Sequence, residues 1–510
     1  MFKGKLKKLA ALVVTAAMTL SMSSTVFAAD WQTEDAALSV AAKDGATYEA
    51  YQVMTSKYME NNGEKVYTYE VSDDFKGFFN GSPYSLSGDN EIMKDGVAVA
   101  GDGRWTNTNA TEAAALAQAL EQYALGKGIS GTKLDATLPI GYYVVAETET
   151  SEKNAIASKP ILVDLRGATT VTPKDDDIPL EKKIVEENGL VDANNVSIGD
   201  TIKYQVTSEV PTYEANVDKD KLKYVFNDTF TNIDFDKDSM VVKVGETTLT
   251  EGVDYTLDAE TNKFELSFAT DTILNNQGKA VTLEYAGVLN KDANVDSEDG
   301  NPNHIELTYT NNPNADKSEG KLEDDVVTYT YGFKIRKVDK NDDTKDMAGA
   351  KFTIKDSEGV VIGSFEYGVD GEITNTKGVI TLEGNYATIK GVDAGTYTIT
   401  EEKAPDGYAV LGSGVEIKIK DEGTTEPTGV ATVKVVTNNA SIEKDGQQVS
   451  EITENGDGTI DAVVRIENVR GISLPETGST TMLFCLAGGA AAIVLGALYF
   501  AMTRKMRRMD

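Results

Sequence analysis

The stretch Tyr397-Thr398-Ile399-Thr400-Glu401 decides the fold. It alternates large apolar residues with small polar ones, the period-two signature of a strand with one buried face. Tyr397, Ile399 and Glu401 then share that face, so a carboxylate points where apolar groups belong. Two other stretches behave the same way: Phe333, Ile335 and Lys337 fall on one face, and so do Val464, Ile466 and Asn468. The same residue types recur upstream, in Leu180, Lys182 and Ile184, in Phe226, Asp228 and Phe230, and in Ile305, Leu307, Tyr309 and Asn311. Much of the remaining chain alternates similarly between Gly, Asn and Asp turns. This predicts a mainly β protein built from tandem sandwich domains. One helix is expected in the N-terminal region, capped by Thr111, lined on one face by Leu116, Leu120 and Tyr123, and stopped by Gly126.

Burying an isolated ammonium or carboxylate is very costly. Alternation alone leaves two readings open. In one, the lysines snorkel and the acids sit at strand ends. In the other, a buried lysine loses its proton, its neutral amine attacks an asparagine carboxamide, and a protonated carboxyl polarises that carbonyl. Ammonia leaves and an isopeptide bond remains. The residues for this are Lys182, Asp228 and Asn311 in one domain, and Lys337, Glu401 and Asn468 in the next. Lys183 and Asn312 are neighbours that could substitute in the first set, although strand parity favours Lys182 and Asn311. Each bond would close a loop of more than about 100 residues, on the order of 4–5 kcal/mol in the chain-entropy model. Glu147 follows Tyr143 by the spacing that separates Glu401 from Tyr397, but no lysine-bearing first strand accompanies it.

Both ends of the chain read as processed segments. Lys3, Lys5, Lys7 and Lys8 precede the apolar run Leu9 to Leu20, and Val26-Phe27-Ala28 offers small residues for cleavage, so residues 1–29 read as a secretory signal peptide. At the other end, Leu474-Pro475-Glu476-Thr477-Gly478 is followed by an apolar run from Met482 to Met502 and a basic tail of Arg504, Lys505, Arg507 and Arg508. The run is long enough to span a bilayer, and the tail holds the C-terminus inside. Pro475 keeps the pentapeptide extended. The expected division is 30–174, 175–330 and 331–471, then 472–510 as the terminal signal. Residues Pro173 to Pro179 form the first linker.

With 82 acidic and 49 basic residues the chain carries a net charge of −33, which argues against nucleic acid as a partner. The one cysteine, Cys485, lies in the terminal apolar run, and the one histidine is His304. Disulfides, thiol or Ser-His-Asp catalysis and zinc sites are therefore not expected, nor is any metal or cofactor. Asp234, Asp236 and Asp238 lack an EF-hand pattern and read as a solvated acidic turn.

Several motifs carry a family resemblance. Leu474 to Gly478 with its apolar run and basic tail resembles the LPXTG sorting signal of Gram-positive surface proteins, which a sortase cuts between Thr and Gly. Tyr397-x-Ile399-x-Glu401-x-x-Ala404-Pro405-x-Gly407-Tyr408 resembles the E-box of Gram-positive pilins, with Glu402 where family members carry Thr. Lys337-Val338-Asp339 with Ala348-Gly349-Ala350-Lys351-Phe352 resembles the opening of Cna B-type domains. Ile198-Gly199-Asp200-Thr201, Asp228-Thr229 and Tyr309-Thr310-Asn311-Asn312-Pro313 resemble a fimbrial isopeptide domain. Val171-Thr172-Pro173-Lys174 keeps the core of the pilin motif, with Leu165, Thr169 and Thr172 where the fuller pattern has Trp, Val and Tyr.

The resemblance implies an elongated backbone pilin of Ig-like domains, polymerised by sortase joining Thr477 to Lys174 of another copy. Its implied partners are sortase, other copies of itself, ancillary pilins and peptidoglycan, with host or surface ligands as further candidates. It implies a secreted chain, held briefly in the membrane and then displayed in a pilus on the cell wall. The chain would be a substrate rather than an enzyme, its self-catalysis limited to single-turnover isopeptide formation assisted by Asp228 and Glu401. Alternative readings are a wall-anchored monomeric adhesin, an ancillary pilin and, more remotely, a secreted hydrolase.

Overall fold

The computed structural model describes residues 31–471, apart from 43–44, 62, 82, 88–91, 96, 101–109, 151–155, 174–176, 214–216, 315–317, 343, 346, 375–376, 438 and 446. The signal peptide, Lys174, the Leu474–Gly478 pentapeptide, the apolar run and the basic tail lie outside the described residues. Among the described residues no helix is long and apolar enough to cross a membrane. The chain divides into two compact units. The first comprises the residues up to Asn194, with Thr201–Val288 and Asn301–Val327; the second comprises Asn195–Asp200, Leu289–Gly300 and the chain from Thr328.

The N-terminal part of the first unit is built on the sheet Ile161–Leu165, Gly141–Glu149, Thr47–Asn61 and Glu64–Val71. The run Tyr142-Tyr143-Val144-Val145-Ala146 is buried on both faces of it. One face packs through Tyr143 and Val145 against Leu38, Leu138, Leu165 and Val171. The other packs through Tyr142 and Val144 against Leu116 and Leu120 of the helix Ala110–Lys127. That helix begins one residue before Thr111, and it runs past Gly126. Its stop is Gly128 (φ 65°), where Ile129 N–H reaches back to Ala124 O at 2.9 Å. This is a six-to-one helix-end bond closed by a left-handed glycine, which Gly126 is too early to supply. A second short helix, Lys76–Gly81, adds Phe78 and Phe79 to the same core and was not expected from the sequence.

Two six-stranded sheets follow in this unit. One is ordered Gly189–Val191, Leu180–Glu186, Thr201–Glu209, Ala280–Leu289, Ile233–Val244, Thr247–Thr248. The other is ordered Ala193–Asn195, Glu319–Tyr329, Asn301–Thr310, Tyr224–Phe230, Lys263–Phe268, Tyr255–Glu260. Asp234, Asp236 and Asp238 lie along the strand Ile233–Val244 rather than in a turn.

The second unit pairs a seven-stranded with a six-stranded sheet. In the larger one Tyr331–Asp339 lies parallel to Val463–Asn468, with Lys337 opposite Ile466 and Asp339 opposite Asn468. In the smaller, Gly395–Lys403 lies between Lys351–Lys355 and Val415–Asp421. The chain is tightly drawn at Gly391 (φ 75°), whose carbonyl accepts Ile198 N–H at 2.9 Å. A Cβ there would stand 2.0 Å from Ile198 Cδ1. Gly391→Ala is expected to destabilise this unit by about 2–4 kcal/mol, through both the left-handed backbone and overpacking. The measurement is a urea titration, with a lower midpoint and an unchanged slope.

Candidate functional site

Two clusters of buried charge stand out, one in each unit. In the first, the strand Leu180–Glu186 turns Lys182 inward, with no exposed side-chain surface, while Glu181 faces solvent. Lys182 Nζ lies 2.5 Å from Asp228 Oδ2. The same oxygen accepts the Tyr285 hydroxyl at 2.5 Å. The rings of Tyr204, Phe230 and Tyr285 surround the amine at 5.5, 5.9 and 5.7 Å. Burial pushes the Lys182 amine down and the Asp228 carboxyl up, each toward its neutral form.

The asparagine of this cluster is Asn303. Its Nδ2 donates to Asp228 Oδ1 and to Thr229 O. It is 1 % exposed, and its Oδ1 has no hydrogen-bond partner. Asn311 is not there, which corrects the sequence reading. Asp228 stands opposite Ile305 in the antiparallel register, and Asn303 is the next inward residue along. Asn311 lies six residues the other way, about 20 Å at the usual strand rise. It is buried against Ser318, whose hydroxyl donates to its Oδ1. Asn312 instead donates to the Glu147 carbonyl at 3.1 Å. Lys183 points away from the cluster, to Asp192 and Glu181. Asn303 has the same strand parity as Ile305 and Leu307, so the signal that suggested Asn311 applied equally to it.

In the second unit Lys337, Glu401 and Asn468 are brought together. Lys337 Nζ donates to Asn468 Oδ1 at 2.7 Å and to Ile466 O at 3.1 Å. Asn468 Nδ2 donates to Glu401 Oε1 at 2.9 Å and Oε2 at 3.1 Å. Lys337 Nζ and Glu401 Oε1 are 3.9 Å apart, and neither side chain has exposed surface. Burial lowers the Lys337 amine to about 8. The turn Ala404 to Tyr408 folds the following chain over this cluster. Ala409 O accepts Asn468 Nδ2 at 3.1 Å, and Leu411 N–H donates to Glu401 at 2.9 Å. Tyr408 pins the turn by donating to Asp339 at 2.7 Å. These backbone contacts, and Tyr285 in the first unit, were invisible to strand alternation.

In both clusters the carboxylate faces the asparagine nitrogen and not, as expected, its carbonyl. The reason is chemical: a carboxylate accepts, and the amide N–H donates. Such a carboxyl can take a proton from the lysine amine and deliver it to the departing nitrogen. The clusters differ in topology. Lys182 sits in one sheet, with Asp228 and Asn303 in the other, so a bond would tie two sheets together. Lys337 and Asn468 lie on adjacent parallel strands of one sheet. The remaining sequence candidates lie elsewhere. Glu147 accepts from Tyr48 and Ser158, and His304 contacts Asp325 at the surface.

Two family models match parts of the chain, which include Asp228 and Asn303 of the first cluster and Lys337 and Glu401 of the second. Residues 332–434 match the family model SpaA, a prealbumin-like fold domain. Residues 198–313 match the Gram-positive pilin backbone subunit 2, Cna-B-like domain. The chain is similar to Gram-positive backbone pilins. It is 28 % identical over 389 residues to the trypsin-resistant surface T6 protein of Streptococcus pyogenes serotype M6, a span covering 64 % of this chain and 68 % of that protein. Against the fimbrial subunit type 2 of Actinomyces naeslundii it is 25 % identical over 425 residues, covering 73 % and 71 %. The solved T6 backbone pilin shares its fold at a TM-score of 0.54 and 19 % identity, over 89 % of this chain and 100 % of that structure. That structure is described as modular, with three domains.

Proposed function

We propose that this pilin is the structural backbone subunit of a covalent fibre, stiffened within each subunit by two lysine–asparagine isopeptide bonds. The observation that carries this reading is the paired burial of lysine, carboxylate and asparagine in both units. In each, the neutral amine attacks the asparagine Cγ. The Nζ–Cγ bond forms, the Cγ–Nδ2 bond breaks, and the carboxyl passes a proton from Nζ to the leaving ammonia. The bonds are Lys182–Asn303, assisted by Asp228, and Lys337–Asn468, assisted by Glu401. Three domains, 30–174, 175–330 and 331–471, follow a signal peptide, 1–29.

Assembly is the work of a sortase. It cuts Thr477–Gly478, holds the Thr477 carbonyl as a thioester, and passes it to the Lys174 amine of another copy. The last subunit goes to peptidoglycan, and ancillary pilins join by the same chemistry. The chain is the substrate in these steps. The test is a denaturing gel of wall extracts. The unaltered strain is expected to give a high-mass ladder and Lys174→Ala a single band. A ladder that survives the substitution overturns the assignment of Lys174, and no ladder in either strain overturns polymerisation.

A further inference from the structure

Another buried carboxylate, Asp296, takes no part in the cross-link clusters. It lies in the segment Leu289–Gly300, which belongs to the second unit although the strands on either side of it belong mostly to the first. Asp296 has no exposed surface, and its backbone is left-handed at φ 50°, a conformation that costs a non-glycine residue. Every backbone polar group of this residue is tied down: its N–H donates to Thr330 O at 3.0 Å, and its carbonyl accepts Gly458 N–H at 2.9 Å. Oδ2 accepts Gly332 N–H at 3.1 Å, and Oδ1 has no hydrogen-bond partner.

The surroundings hold Asp296 in a seat that is both close and negative. Ser297 bridges to Asp457, and Glu298 N–H donates to Gly456 O at 2.8 Å. Two glycines permit this approach. A Cβ on Gly429 would lie 2.2 Å from Ser297 O, and one on Gly456 would lie 2.7 Å from Glu298 Cγ. The titratable groups facing Asp296 are Glu454, Asp461 and Tyr331. Glu454 is itself buried and accepts the N–H groups of Asp461 and Ala462, and the cation Lys334 acts on it. Two buried acids therefore stand near each other, and the unpartnered oxygen of Asp296 has no donor to stabilise a charge.

We propose that Asp296 is a proton-held latch: in its neutral form it keeps the segment Leu289–Gly300 seated in the second unit, and on ionising it releases that segment. Burial beside Glu454 raises the Asp296 carboxyl to about 8. The released segment exposes the carboxyl to water, where it has its ordinary value near 3.8. Between these two values the seated form holds a proton that the released form lacks. Release therefore becomes easier by about tenfold per pH unit as pH rises from about 4 to about 8, and levels off above.

The test is amide hydrogen exchange of residues 289–300 in the intact chain, corrected for intrinsic rates, between pH 5.5 and 9. The expected result is a protection factor that falls about tenfold per unit up to pH 8 and is flat beyond. Asp296→Asn should make the profile flat throughout. Glu454→Gln should move the break to lower pH, because it removes the facing acid while leaving Asp296 in place. A flat profile in the unaltered chain overturns the latch. So does an unchanged slope in Asp296→Asn. Neither outcome touches the isopeptide clusters, whose readout is mass.

Discussion

Glu401→Ala is expected to bring the purified chain one ammonia closer to its own sequence mass than the unaltered chain is to its own, and to lower the unfolding temperature of the second unit by about 15–20 °C. Without the carboxylate nothing carries a proton from the Lys337 amine to Asn468 Nδ2, so the bond does not form. The bond would close a loop whose ends are 131 residues apart, worth about 5 kcal/mol in the chain-entropy model. The substitution also leaves Lys337 buried without the acid that offsets its desolvation, a loss of the same sign. Intact mass and calorimetry on the same sample separate the two effects. Glu401→Gln keeps the side chain's shape but not its proton transfer, so it should retain the same one ammonia relative to its sequence mass and destabilise less. If the unaltered chain and Glu401→Ala have equal mass relative to their sequences, the cross-link reading of this cluster is wrong.

The uncross-linked unit should also acquire a pH dependence. Asn468→Ala removes the electrophile and keeps both Lys337 and Glu401. The amine, at about 8 when folded and 10.5 when unfolded, is then neutral in the native state and protonated in the unfolded chain across that window. The unfolded state binds more protons there, so stability should rise with pH by about 1.4 kcal/mol per unit from 8 to 10.5, and this group should add no pH dependence below 8.

The second large effect separates two asparagines eight positions apart. Asn303→Ala should restore the mass of one ammonia to the first unit and cost about 4–5 kcal/mol, the loop closed from Lys182 being of similar length. Asn311→Ala should leave the mass loss intact, because Asn311 is placed against Ser318 and far from Asp228. Its cost should be that of one buried side-chain hydrogen bond, about 1–2 kcal/mol. Peptide mapping of the unaltered chain would identify the branched pair directly. A branch at Asn311 would sink the structural assignment.

Strand alternation carried the reading a long way. It placed Lys182, Asp228, Lys337, Glu401 and Asn468 on inward faces, and all five are buried. The period of two is enforced locally by backbone geometry, so it survives in the sequence whatever the strand later pairs with. It does not say how far along its partner a strand sits. That is why Asn303 and Asn311 were equivalent on paper. Helix boundaries were less legible for a similar reason. Either Gly126 or Gly128 can end a helix, and only the bond from Ile129 to Ala124 selects the second.

By itself the sequence determined that the chain is mainly strand and that Lys182, Asp228, Lys337, Glu401 and Asn468 face inward. It also supplied the terminal motifs on which the assembly proposal rests. Tertiary structure alone decided the contacts: Asn303 on Asp228, the carboxylates facing amide nitrogen, Tyr285 on Asp228, and Asp296 seated by a segment with no periodic pattern. The physical reason is that register and sheet-to-sheet contact join residues more than 100 positions apart, as with Lys337 and Asn468, and are set by the packing of whole sheets rather than by any local preference.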